Sequence, residues 1–217
     1  MKKFILSLFL ILTLLSLFAA GALVYIHHAT DLAVKLPGKY QASVSYTDSV
    51  ITAGDAYLAE AFMGDNVSLA DEEANISIQY TLTFAEDGTY DQQVDEASYE
   101  EAKKKAYSAL EQALTKVIQL RLSAAGKMTH TDEDVKETTE TLLGMTLPEY
   151  LEKCGPQLLP SWEDICAAYN ISGTYTAERN SLQLSEQGLR QILLDEDTLV
   201  LTDPSGAEPA QVYTRLH

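Results

Sequence analysis

The sequence predicts an α+β fold. About eight antiparallel strands close into a barrel, a helical insert lies between strands three and four, and an N-terminal transmembrane helix or signal segment precedes both. Three observations predict it. In "NISIQYTLTFAEDGTYDQQVD" (75–95), and again from Ile171 onward, apolar and polar residues alternate, as in a strand with one buried face. Between them the apolar period changes to about 3.6, that of an amphipathic helix. The first 28 residues are almost wholly apolar.

The order of segments follows: residues 1–28 as membrane anchor or signal peptide, 29–36 as tether, and 37–217 as the barrel domain with its helical insert at 95–170. Lys2 and Lys3 precede an uncharged run from Phe4 to Ile26. At about 1.5 Å per residue it spans roughly 35 Å, enough for a hydrocarbon core of about 30 Å. A cleaved signal peptide has a shorter apolar region, yet Ala20-Gly21-Ala22 offers small residues suited to cleavage. Either way Lys2 and Lys3 stay inside and the body lies outside the cytoplasmic membrane: single-pass if the segment is kept, secreted if it is cut.

Each later element has its own signal. In "KYQASVSYT" Tyr40, Ala42, Val44 and Tyr46 share one face of a first strand. "DSVITAGDAYLAEAFMGD" reads either as a helix with Val50, Ala53, Tyr57 and Ala61 on one side, interrupted by Gly54, or as a strand through Val50-Ile51-Thr52. In the quoted hairpin Ile76, Ile78, Tyr80, Leu82 and Phe84 face inward, and Glu86-Asp87-Gly88 makes the turn. Asp95 caps a long helix with Tyr99, Ala102, Ala106, Leu110, Ala113, Val117 and Leu120 as its stripe. A second helix starts at Thr131 or Asp132. "TLPEYLEKCG" is a third, with a Thr146/Glu149 capping box and Pro148 in its first turn. "SWEDICAAYN" is a fourth, capped by Ser161. Five further strands alternate with turns at Arg179-Asn180, Asp195-Glu196-Asp197 and Asp203-Pro204-Ser205-Gly206. Eight strands suit a small barrel, solid or holding one ligand. The amphipathic helices are expected to bury their stripes against its mouth or outer wall.

Charge narrows the partners. The chain carries −17 at neutral pH, and every acidic residue follows the apolar segment. Such a field repels nucleic acid, so none is expected as a partner. No HxH, HExxH or CxxC spacing, Gly-rich phosphate loop, GxSxG elbow or EF-hand loop occurs, so neither metal nor cofactor is expected. No acid, base and nucleophile converge, and the expectation is a protein that is not an enzyme. Cys154 and Cys166, the two cysteines, either form a disulfide between the third and fourth insert helices or remain two buried thiols. Tyr40, Tyr46, Tyr80, Tyr90 and Tyr175 fall on apolar faces, suiting either a core with internal hydrogen bonds or a ligand cavity.

"LPGKY" opening the first strand, "YTLTFAEDGTY" as the early hairpin, and "ISGTYTAERNSLQLS", "DEDTLVLTD" and "VYTRL" near the end together resemble lipocalin-like (calycin-type) β-barrels. The likeness is to those of uncharacterised, membrane-anchored extracytoplasmic proteins of Gram-positive bacteria, and it covers about residues 37–46, 75–94 and 171–216. In lipocalins a Gly-x-Trp on the first strand packs under an arginine of the last. Here Gly38-Lys39-Tyr40 stands at that place with tyrosine for tryptophan, and the resemblance implies Arg215 as its partner through a cation–π contact. The expected function is a membrane-tethered binding module, attached through residues 4–26, for a small apolar or amphipathic ligand or an envelope protein. Tyr80, Leu82, Phe84 and Tyr175 would line the ligand site. The alternative is a non-enzymatic structural or interaction protein with a solid barrel and an acidic helical contact surface.

Overall fold

The computed structural model describes residues 31–61, 67–71, 75–127 and 131–217. The predicted anchor falls on residues 1–28, outside the described residues. Among the described residues no helix is long and apolar enough to cross a membrane.

Among the described residues, eight strands form a closed antiparallel barrel in chain order: β1 (Gly38–Ser45), β2 (Ser77–Phe84), β3 (Thr89–Val94), β4 (Ile171–Glu178), β5 (Ser181–Leu184), β6 (Gly188–Leu194), β7 (Thr198–Thr202) and β8 (Gln211–Leu216). Closure removes the exposed strand edges that would otherwise pair with other chains. β8 returns to β1 with Tyr40 opposite Arg215. The hairpins β4–β5, β5–β6, β6–β7 and β7–β8 are in register throughout, with Leu199 opposite Tyr213 and Ile192 opposite Leu201. Strict alternation sets which side is buried: in β2, Ile78, Tyr80, Leu82 and Phe84 are all buried, as expected.

By its contacts the chain divides into two compact units, and the division falls within β1, β2 and β3. The barrel unit holds residues 31–41, 82–91 and 171–217; the helical unit holds 42–81 and 92–170. The barrel unit opens with a single helical turn, α1 (Leu32–Lys35), within the segment expected as a tether. Asp31 caps it, Leu32 and Leu36 are buried, and α1 packs against β4.

The helical unit contains α2 (Thr47–Ala61), a 3-10 turn (Leu69–Asp71), α3 (Glu96–Ala124), α4 (Asp132–Leu143), α5 (Leu147–Leu158) and α6 (Trp162–Tyr169). The expected caps are present. Asp95 accepts from the Ala97 amide, Thr131 pairs with Asp134 and Thr146 with Glu149 in capping boxes, and Ser161 caps α6. Glu101 and Lys105 pair at 2.8 Å along α3.

Three expectations change here. The helices bury their stripes largely against one another, in a core where Val50, Leu58, Leu110, Leu114, Ile118, Leu151, Leu158 and Ile165 meet Ile76 and, from β2, Ile78. Several amphipathic helices together supply enough apolar surface to satisfy one another. On α3, Leu120 is 55% exposed while Ile118 and Leu122 are buried. Leu120 keeps the spacing of the stripe, three positions beyond buried Val117, so its exposure shows that the packing surface on that side ends before the last turn of α3. Finally, α5 does not stop at Gly155 but runs through Pro156 to Leu158.

Candidate functional site: the barrel interior and two helical clefts

Phe84, at the end of β2, is 2% exposed and holds an aromatic cluster together. Its ring centroid is 4.9 Å from Tyr175 in an edge-on contact, 6.1 Å from Tyr40 and 6.2 Å from Tyr90. Such offset and T-shaped contacts suit the ring quadrupoles. The main chain takes up two of the three hydroxyls. Tyr175 donates to the Ala85 carbonyl at 2.8 Å, and Tyr40 to the Leu36 carbonyl at 2.8 Å. Burial pushes both phenols above their ordinary value; nearby Asp87 adds to this for Tyr175, and Arg215 opposes it for Tyr40. Both therefore remain donors at neutral pH. The Tyr90 hydroxyl is buried with no hydrogen-bond partner.

Of the four residues expected to line a ligand site, Phe84 and Tyr175 touch, and Leu82 is buried in the same unit. Tyr80 is placed differently. It stacks on Tyr169 of α6 at 5.8 Å, within the helical unit. The two residues expected to close the barrel do meet: the Arg215 guanidinium lies 5.5 Å from the Tyr40 ring centroid.

Cys154 of α5 is buried and Cys166 of α6 half-buried, both as free thiols. Burial raises the Cys154 thiol above its ordinary value, against a hydrogen bond from Tyr150 and the charge of Lys153, which lower it; Glu60 adds to the rise.

Two surface clefts in the helical unit were not legible in the sequence. The first, of about 420 Å³, is lined by Tyr57 and Glu60 of α2 and by Tyr150, Lys153, Cys154 and Gln157 of α5. The α5 residues recur at i, i+3, i+4 and i+7, so they share one face. This polar-capable stripe was the available signal, but it runs past Gly155, where the predicted helix "TLPEYLEKCG" ends. The second, of about 270 Å³, is lined by Tyr99, Lys103 and Tyr107 of α3 together with Pro156, Trp162 and Glu163. Tyr99 and Trp162 pack with centroids 5.3 Å apart, and the Lys103 ammonium lies 5.8 Å from the Tyr107 ring. A further cleft of about 410 Å³ shares Glu100, Lys103 and Tyr107 with it and extends along α3 to Glu111.

Neither family models, curated proteins nor solved structures give a match to this chain. What it does must therefore be argued from these sites. Among the described residues, no three His, Cys, Asp or Glu side chains are gathered where they could hold a metal ion.

Proposed function

We propose that this chain is an extracytoplasmic, membrane-tethered module with a lipocalin-like barrel, and that it works by holding a neighbouring envelope protein rather than by catalysis. The barrel is its packed scaffold and the acidic helical unit its contact surface. The observation that carries this reading is the cluster around Phe84. Three tyrosine rings pack against it, and two of their hydroxyls are engaged by the main chain, as in a core. The clefts described above lie on the helices instead, and one is rimmed by Tyr99, Tyr107 and Trp162. Tyrosine and tryptophan are the residue types that anchor protein interfaces. The tether rests on the apolar run Phe4–Ile26 behind Lys2 and Lys3, and the lipocalin likeness on Gly38-Lys39-Tyr40 with Arg215.

Affinity capture of the full-length protein from membranes tests the proposal. The expected result is one stable protein partner, lost from Trp162→Ala and from Tyr107→Ala at a temperature where circular dichroism shows both variants folded. Equal recovery by both variants would remove the groove from the interface. The absence of any partner would remove the proposal.

One observation favours a second reading, a small apolar or amphipathic ligand inside the barrel. The buried Tyr90 hydroxyl has no partner, and a ligand acceptor would supply one. Native mass spectrometry after gentle purification separates the readings. A retained small molecule that Tyr90→Phe releases would place the ligand in the barrel.

A further inference from the structure

We propose that the cleft between α2 and α5 binds a small zwitterion of the α-amino acid class, with Lys153 and the Tyr57 hydroxyl taking its carboxylate and Glu60 its ammonium. This goes beyond the contact surface proposed above, which lies along α3 and α6.

Three features of the cleft support this, and the first is its size and shape. Tyr57 and Glu60 stand one turn apart on α2, facing the stripe Tyr150, Lys153, Cys154 and Gln157 of α5. A volume of about 420 Å³ is that of a small-molecule site.

The second is an unmet hydrogen bond. The Tyr57 hydroxyl is buried and has no partner. Tyr150, which lines the same cleft, does not supply a partner. Buried polar groups are nearly always paired, so an orphaned donor lining a cleft points to an acceptor on the guest. Burial also raises the Tyr57 phenol, so it donates and does not ionise at neutral pH.

The third is charge. Glu60 and Lys153 line the cleft, and neither forms an ion pair with another described residue. The Cys154 thiol is held protonated by its burial and adds no charge. Among the described residues, the cleft lining thus carries one positive and one negative group, on a chain of −17. A simple cation would face Lys153 and a simple anion would face Glu60; a guest with both charges satisfies both. The Gln157 amide, donor and acceptor at once, serves either end.

The test is calorimetric titration of the full-length protein, in mild detergent, with each standard L-α-amino acid in turn. At least one is expected to bind with Kd below about 1 mM. Its amide, which lacks the carboxylate, and its N-acetyl form, which lacks the ammonium, should each bind at least about tenfold more weakly. Lys153→Met and Glu60→Gln should each cost the parent ligand about tenfold, and Tyr57→Phe about fivefold. Tyr57→Phe breaks no hydrogen bond within the protein, so it folds as wild type and keeps the test sound. The proposal is overturned if no amino acid shows saturable heat at about 10 mM, if either blocked form binds as tightly as its parent, or if Lys153→Met and Tyr57→Phe both bind unchanged.

Discussion

Arg215 lies over the ring of Tyr40, 5.5 Å from its centroid, and stands directly opposite it in the β1–β8 ladder. The same guanidinium donates to the Pro37 carbonyl at 2.9 Å. It therefore joins the last strand both to the first strand and to the segment that leads into it. Gly38, between those two contacts, has φ of 150°, a conformation that favours glycine, and a Cβ there would lie 3.2 Å from the guanidinium.

Arg215→Ala removes the cation–π contact and a charge-assisted hydrogen bond, each worth about 1 kcal/mol or more at a half-exposed site. The expected loss is about 2 kcal/mol in urea denaturation. Arg215→Lys should restore less than half of it. Lysine keeps the charge but lacks the planar fork that covers Tyr40 and reaches Pro37 together. Full recovery with lysine would reduce the contact to simple charge.

Phe84→Ala empties the centre of the aromatic cluster and should cost about 3–5 kcal/mol. Tyr90→Phe should do the opposite. The Tyr90 hydroxyl has no partner, so its loss should leave stability unchanged or raise it by up to about 1 kcal/mol. Thermal unfolding of both variants checks the pair. Destabilisation by Tyr90→Phe would mean that the hydroxyl is engaged in solution, by water or by a ligand.

What the sequence revealed followed the range of the interactions. Ile76 to Phe84 could be assigned to one face because strand alternation is strictly local, and Thr146/Glu149 because a capping box spans one turn. The Tyr40–Arg215 contact joins opposite ends of the chain, so only a family resemblance could suggest it. Tyr80 was grouped with Phe84 by alternation, yet its ring stacks on Tyr169, which no local pattern specifies. The α2–α5 cleft was hidden for the same reason. Tyr57 and Glu60 are distant in sequence from Tyr150 and Gln157, and only packing sets their faces together. At α5 the local signal misled. Gly155-Pro156 reads as a stop, but burial of Leu158 and Leu159 beyond it outweighs the propensity cost.

The thiols should differ in reactivity and in their effect on alkaline stability. Cys166 is half-buried and should react with a thiol reagent well before the buried Cys154. The folded protein holds Cys154 protonated above its ordinary value of 9.0, whereas the unfolded chain releases that proton near it. The unfolded state then binds fewer protons, so stability is intact below this value and falls as pH rises through it toward the folded value. Denaturation curves from pH 7 to 10 should show a steeper fall for wild type than for Cys154→Ala. Equal slopes would mean that the thiol ionises alike in both states.

Gly155 offers the sharpest contest between helix propensity and packing. Alanine is favoured over glycine in a helix interior by about 1 kcal/mol, so on local grounds Gly155→Ala should stabilise α5. A Cβ there would lie 1.7 Å from the Tyr107 hydroxyl and 2.4 Å from the ring carbon that bears it, so the whole ring would have to move. Overpacking of this kind costs about 1–3 kcal/mol, and the expected net effect is a loss of about 1 kcal/mol. In a Tyr107→Ala background the obstacle is gone, and the same substitution should stabilise the protein by up to about 1 kcal/mol. The resulting coupling of about 2 kcal/mol, read from a double-mutant cycle in urea, would show that Gly155 is required by the ring of Tyr107. A change of the same sign and size in both backgrounds would show that α5 tolerates glycine for some other reason.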